Sequence, residues 1–236
     1  MPFTFAHPAA VVPLFKNKKL PALALIVGSI IPDFEYFIRM RVVSRYSHTL
    51  WGLVLFDLPL ALALFFFARK YVCKIFVDNL PGFLNRRLSL YFPLQSKIPF
   101  LWVVVAVLLG AVSHIFWDSF THQNGFFVEN LAWLKSSINA WGTQIKVYKL
   151  FQHLSTVIGG LVIVFYIYKL PETKNGNSVS VKYWIPIFLV IFAVLIIRYF
   201  TGLEFYKLGD WIATFISASI IAVFSVSFFY TKFASH

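Results

Sequence analysis

The sequence predicts an all-α integral membrane helical bundle, with about five full transmembrane helices and, at the N-terminus, either a short helical hairpin or a sixth span. Three observations carry this. Of 236 residues 59% are hydrophobic and only 13% charged, with a mean hydropathy of +0.76, so too few polar side chains exist to coat a compact body facing water. The apolar residues gather in runs of roughly 20, the length of helix that crosses a hydrocarbon core of about 30 Å. The 21 Lys and Arg, against 9 Asp and Glu, cluster between those runs rather than on one solvated face. That argues against a nucleic-acid partner and for loops anchored on the headgroups of membrane lipid. A single cysteine, Cys73, excludes an intrachain disulfide and any Cys-rich metal site.

From the N-terminus, Leu20 to Ile31 is apolar but only twelve residues long before Pro32-Asp33, about 18 Å of helix and too short to cross. Either Leu20 to Ile38 forms a sixth span containing Asp33 and Glu35, or Ala9 to Phe15 and Leu20 to Ile31 fold back on each other at Lys16-Asn17-Lys18-Lys19-Leu20-Pro21. The hairpin is favoured: Pro21 suits a first helical turn, Pro32 ends one, and the fold-back returns His7 and Asp33 to the same end. Full spans follow over Leu50 to Ala68, which carries Asp57, then Pro99 to Phe120, Leu154 to Tyr168, Tyr183 to Tyr199 with Arg198 placed to snorkel, and Trp211 to Tyr230. The pair Gly159-Gly160 would allow a close helix approach. The first residues lack a charged segment followed by a long apolar stretch and a small-residue cut site, so no cleavable signal peptide is expected.

With the Lys16 to Lys19 tip on the cytoplasmic side, thirteen bases fall there and seven on the opposite face, a moderate positive-inside bias. This topology rests on Lys and Arg alone, which makes the histidines and acids an independent signal. His48, His114, His122, His153, Asp33, Glu35 and Asp118 all lie at non-cytoplasmic helix ends, and the hairpin adds His7. Of the histidines only His236 is left out. Within Ser113-His114-Ile115-Phe116-Trp117-Asp118-Ser119-Phe120-Thr121-His122, His, Asp and His recur every four residues, one stripe of a helix, with Asn124-Gly125 as its stop. An acid in a membrane helix costs about 2.5 to 3.5 kcal/mol, so Asp118 calls for compensation. Coordination of a divalent metal by imidazole and carboxylate supplies it; so would a hydrogen-bonded His/Asp pair joining two helices. A lone His48 or His153 at a helix end fits an interfacial role more readily than that of a ligand. Asp57 fits three roles equally: orienting a ligand imidazole, packing helices, or relaying protons. Arg39, Arg41 and Arg45 suit either a phosphate headgroup or ordinary interface anchoring.

The order of motifs Phe5-Ala6-His7-Pro8-Ala9-Ala10, Gly28-Ser29-Ile30-Ile31-Pro32-Asp33-Phe34-Glu35-Tyr36, Ser47-His48-Thr49-Leu50 and His114-Ile115-Phe116-Trp117-Asp118 resembles the bacterial domain-of-unknown-function family 4184 over nearly the whole chain. More distantly, over residues 7 to about 122, it is similar to inner-membrane metal-dependent hydrolases and to the zinc-dependent phospholipase C fold. The second resemblance implies a helical zinc site built by His7, Asp33, His48, His114 and Asp118, with His122 as a further ligand. Two departures reduce the expected count to one or two ions: His153 is followed four residues later by Val157 where the phospholipases carry an acid, and no N-terminal Trp ligand stands behind Met1. Zinc is the expected metal, manganese the alternative.

Residues 1–153 then form a hydrolase-like region and 154–236 a three-helix membrane anchor. The implied function is a multi-pass, metal-dependent hydrolase of the bacterial inner membrane, its site on the extracytoplasmic face, cleaving a phosphoester in a lipid or lipid-linked substrate. Asp33 would be ligand or general base, Arg41 or Arg45 would hold the phosphate, and Glu35, Asp57 and His153 would stand around the site. The rivals are an ion- or proton-coupled transporter and a non-catalytic membrane scaffold.

Overall fold

The computed structural model describes residues 3–91, 97–140, 142–174, 176, 179–204 and 206–233; His236 lies outside them. Among these, five helices are long and apolar enough to cross a membrane. The chain is a helical membrane protein, as its composition requires.

The hairpin forms. Its first arm, Thr4–Lys16, is a 3-10 helix that includes Pro8 and Pro13; each proline removes a backbone donor and would interrupt an α-ladder. Asn17 and Leu20 turn the chain through backbone hydrogen bonds of 3.0 and 3.1 Å, and α1 (Ala22–Ile30) starts with Pro21 as its N-cap. The α-helix ends at Ile30, just before Pro32 as the sequence suggests. Pro32 sits in a single 3-10 turn, Ile31–Asp33, and the chain runs on into α2 (Phe34–Arg39). The stop comes at Met40, in the left-handed conformation with φ 50°.

The long helix α3 (Leu50–Asp78) outruns its predicted end and contains two π-helical segments, Leu53–Asp57 and Ala68–Val72. After α4 (Gly82–Leu88) comes α5 (Phe100–Thr121), two short helices α6 (Phe126–Asn130) and α7 (Ala132–Lys135), and a hairpin of β1 (Ser137–Ala140) and β2 (Thr143–Lys146) paired in register Ser137 to Lys146. Then α8 (Val147–Lys169), α9 (Val181–Phe200) and α10 (Leu208–Phe233) each begin before the apolar run that predicts them.

Two compact units interleave along the chain: Met1–Pro32, Ser47–Leu62 and Ile98–Tyr166 form one, and Asp33–Tyr46, Ala63–Lys97 and Ile167–His236 the other. In the first, α1 and α5 touch backbone to backbone. A Cβ on Gly28 would lie 2.2 Å from the Val107 carbonyl oxygen, and one on Gly110 2.5 Å from both the Leu25 carbonyl oxygen and the Ser29 nitrogen. Small residues at both positions are what allows the two helix backbones to come this close. The α8 helix joins the same unit: Gly159 meets Ala6 of the first arm, Gly160 meets open space, and the Phe3 amide donates to Thr156 Oγ1 at 3.0 Å.

In the second unit α9 packs on α10 through Tyr183, Ile187, Ala222 and Val226, with a buried 2.8 Å hydrogen bond between the Tyr183 and Ser227 hydroxyls. Tyr183→Phe is expected to lower stability by about 1 kcal/mol in thermal unfolding of the detergent-solubilised protein, the usual net value of such a bond. The buried Arg87 pairs with Glu172 and lies 4.2 Å over the Phe83 ring.

Candidate metal centre

The centre is built outward from Asp118, on the last turn of α5. Its stripe partner His114 stands one turn earlier and is fully buried. His122 is the C-cap of α5, in extended conformation, and its amide donates to the Asp118 carbonyl at 3.0 Å. The helix therefore stops at Thr121, ahead of Asn124-Gly125. Gly125 instead serves as N-cap of α6, and a Cβ there would lie 2.5 Å from the Ser119 carbonyl oxygen. Two further elements bring in the rest. The first hairpin arm delivers His7, and the segment before α3 delivers His48, positioned beside Thr49, whose Oγ1 caps that helix by accepting from the Gly52 amide at 2.9 Å.

Four imidazoles surround the one carboxylate. Asp118 Oδ2 lies 3.2 Å from His114 Nε2 and 3.5 Å from His48 Nε2; Oδ1 lies 3.4 Å from His122 Nδ1 and 3.6 Å from His7 Nε2. Charge-assisted N–H to carboxylate bonds run about 2.7 to 2.9 Å. Two atoms bound tetrahedrally to one ion at about 2.0 to 2.1 Å stand ~3.3 Å apart. The observed separations follow the second pattern. Asp33, at the end of the turn that continues α1, completes the set: one ligand atom from each of Asp33, His48, His114 and Asp118 falls within 4.8 Å of all the others. Two carboxylates and neutral imidazoles carry a formal charge that a divalent cation balances, and they suit zinc or manganese by donor type.

The packing accommodates the neutral histidines that a metal needs. His114 Nδ1 is 2.7 Å from the Ser29 carbonyl oxygen. A carbonyl only accepts, so Nδ1 carries a proton, and in a neutral ring Nε2 is then the atom able to ligate a metal beside Asp118. The His7 and His114 rings stack with centroids 3.7 Å apart and planes 16° apart, an arrangement that two imidazolium charges would disfavour. His48 Nδ1 lies 3.1 Å from the buried Ser47 hydroxyl, which holds its ring.

The remaining candidates are placed differently. His153 is exposed on α8. Asp57 is fully buried at the end of the first π segment of α3 and is not in the cluster of four. Glu35, also buried, organises the loop after α2: it takes Arg39 Nη2 at 2.7 Å and the amides of Arg45 and Tyr46 at 3.0 and 2.9 Å. Arg41 and Arg45 line a pocket with Arg39, Val43 and Arg198 in the second unit. Sequence reading missed Ser29 and Ser47 as orienting groups and Gly28 and Gly110 as the seam that sets Ser29. For the glycine seam the signal was present, since Gly110 precedes His114 by one turn and Gly28 adjoins Ser29.

The family model for a domain of unknown function (DUF4184) matches residues 1–228, and the chain belongs to that family. No curated protein and no solved structure matches it. The resemblance to family 4184 thus holds, while the more distant one to hydrolases and phospholipases has no counterpart among these matches.

Proposed function

We propose that the chain is a membrane-embedded, metal-dependent hydrolase that cleaves a phosphoester in a lipid or lipid-linked substrate, with its site at the extracytoplasmic face of the bacterial inner membrane. The observation that supports this is the buried carboxylate of Asp118 ringed by four imidazole nitrogens at coordination-shell spacing. His48, His114, Asp118 and Asp33 hold one divalent ion, zinc first and manganese second. His7 and His122, both against Asp118 Oδ1, complete its shell or take part in a second site. Bound there, such an ion supplies Lewis acidity, bringing the pKa of water towards ~7 and stabilising charge on phosphoryl oxygens.

The protein's own groups do the rest. Ser29 fixes the His114 tautomer, Ser47 holds the His48 ring, and the apolar walls of α1 and α5 keep bulk water from the buried carboxylates. Asp33 accepts the proton of the attacking water as general base. Residues 154–236 anchor the protein in the bilayer.

In a hydrolysis assay with short-chain phosphatidate and other lipid phosphoesters, Asp33→Asn is expected to lower turnover roughly a hundredfold or more while sparing much of the bound metal. Full turnover in Asp33→Asn removes the base assignment. Absence of cleavage by metal-loaded protein, together with solute uptake into proteoliposomes that survives His114→Ala and Asp33→Asn, would favour a carrier.

A further inference from the structure

We propose that Arg39, Arg41, Arg45 and Arg198 form a binding site for a phosphate-bearing anion, within the second unit and independent of whether the metal centre is catalytic. Three of these arginines fall within seven residues of sequence, and the fourth comes from the last turns of α9. Together with Val43 they line an open pocket of about 500 Å³.

Four guanidinium groups around one space repel each other unless an anion is supplied. The acids at hand are committed elsewhere. Glu35 is spent on Arg39, on the Ser44 hydroxyl at 3.2 Å and on the backbone amides of Arg45 and Tyr46. Asp210 accepts from the Val42 amide at 2.8 Å. Glu204 pairs with Lys207 at 2.9 Å, and its carboxyl is held below the usual range by the Tyr206 hydroxyl first, then by Lys207, with a smaller contribution from the Arg41 guanidinium. Among the described residues, Arg41, Arg45 and Arg198 make no ion pair with a carboxylate.

Glu35 and Asp210 thus brace the backbone of the loop from Met40 to Tyr46; Arg39 keeps Glu35 as its partner, Glu204 lies within electrostatic reach of Arg41, and Arg41, Arg45 and Arg198 line the pocket without a carboxylate paired directly to them. Planar guanidinium forks match phosphate oxygens in pairs, which is the chemistry this arrangement selects. Arg198 stands near the end of a membrane-length helix, a position from which a long basic side chain reaches towards lipid phosphates. The shared ligand chemistry is a phosphate group, presented either by a lipid headgroup or as free phosphate.

Isothermal titration of the full chain in neutral detergent tests this with dihexanoyl phosphatidic acid, dihexanoylglycerol and inorganic phosphate. Phosphatidic acid is expected to bind at least about tenfold more tightly than the phosphate-free lipid. The triple variant R41Q/R45Q/R198Q should lose about a hundredfold, and Arg45→Lys, which keeps the charge but not the fork, should lose less. Lys207→Gln, a charge change outside the pocket, should alter binding little. Inorganic phosphate binding as tightly as phosphatidic acid would identify free phosphate as the ligand, and binding that requires the lipid would identify the headgroup. Equal binding of phosphatidic acid and dihexanoylglycerol, or retention of wild-type affinity in both the triple variant and Arg45→Lys, would overturn the proposal. Because the readout is binding, a failure of catalysis leaves it unaffected.

Discussion

Purified Asp118→Ala protein is expected to carry almost no divalent metal, with affinity reduced by well over a hundredfold. Both carboxylate oxygens of Asp118 face imidazoles, His114 and His48 on one, His7 and His122 on the other. Removing the side chain deletes the one anion that all four nitrogens share. Loss of a group that merely orients a ligand already costs about ten- to a hundredfold in metal affinity, so loss of the hub costs more. His153→Ala, on the exposed face of α8, is the matched comparison and should retain wild-type metal content. Competition against a chromophoric chelator reads both. Equal affinity in Asp118→Ala and wild type would mean that the histidine cluster serves helix packing.

A methyl group at Gly110 should damage the same centre without touching a ligand. The new Cβ would stand 2.5 Å from the Leu25 carbonyl oxygen and the Ser29 nitrogen, both backbone atoms that cannot rotate away. Relief requires α1 to move off α5. That motion pulls the Ser29 carbonyl from His114 Nδ1, now 2.7 Å away, and displaces Asp33 four residues further along the same helical stretch. Gly110→Ala is therefore expected to destabilise the protein by about 1 to 3 kcal/mol, the usual range for overpacking. It should also weaken metal binding by about ten- to a hundredfold through lost ring orientation. Gly160→Ala, which meets open space in α8, should be neutral or stabilising by up to about 1 kcal/mol. Thermal unfolding and metal titration of the two variants side by side separate seam from composition; identical behaviour would contradict the seam's role.

The spans were legible because membrane crossing is a matter of apolar length, and the His114-Asp118-His122 stripe because four-residue spacing stacks side chains on one helix face. The hairpin was legible from Lys16 to Pro21, where bases and a proline interrupt an apolar run too short to cross. What the sequence did not disclose depends on local backbone geometry or on neighbours distant along the chain. Helical continuity through Pro32 rests on a local 3-10 turn that spares the missing donor. The π segments of α3 have no compositional mark. Glu35 looks like a site acid by position, yet its oxygens are taken by the loop that follows α2. The Ser29 contribution comes from its carbonyl, which side-chain patterns cannot reveal, and Arg198 joins Arg39, Arg41 and Arg45 only through tertiary packing.

The most direct measurement is elemental analysis of the wild-type protein purified in detergent without added metal, beside His114→Ala. A buried centre with this donor set predicts near-stoichiometric zinc or manganese in the wild type and its loss in the variant. Wild-type protein that is metal-free and fails to take up added zinc or manganese would contradict a metal centre at Asp118.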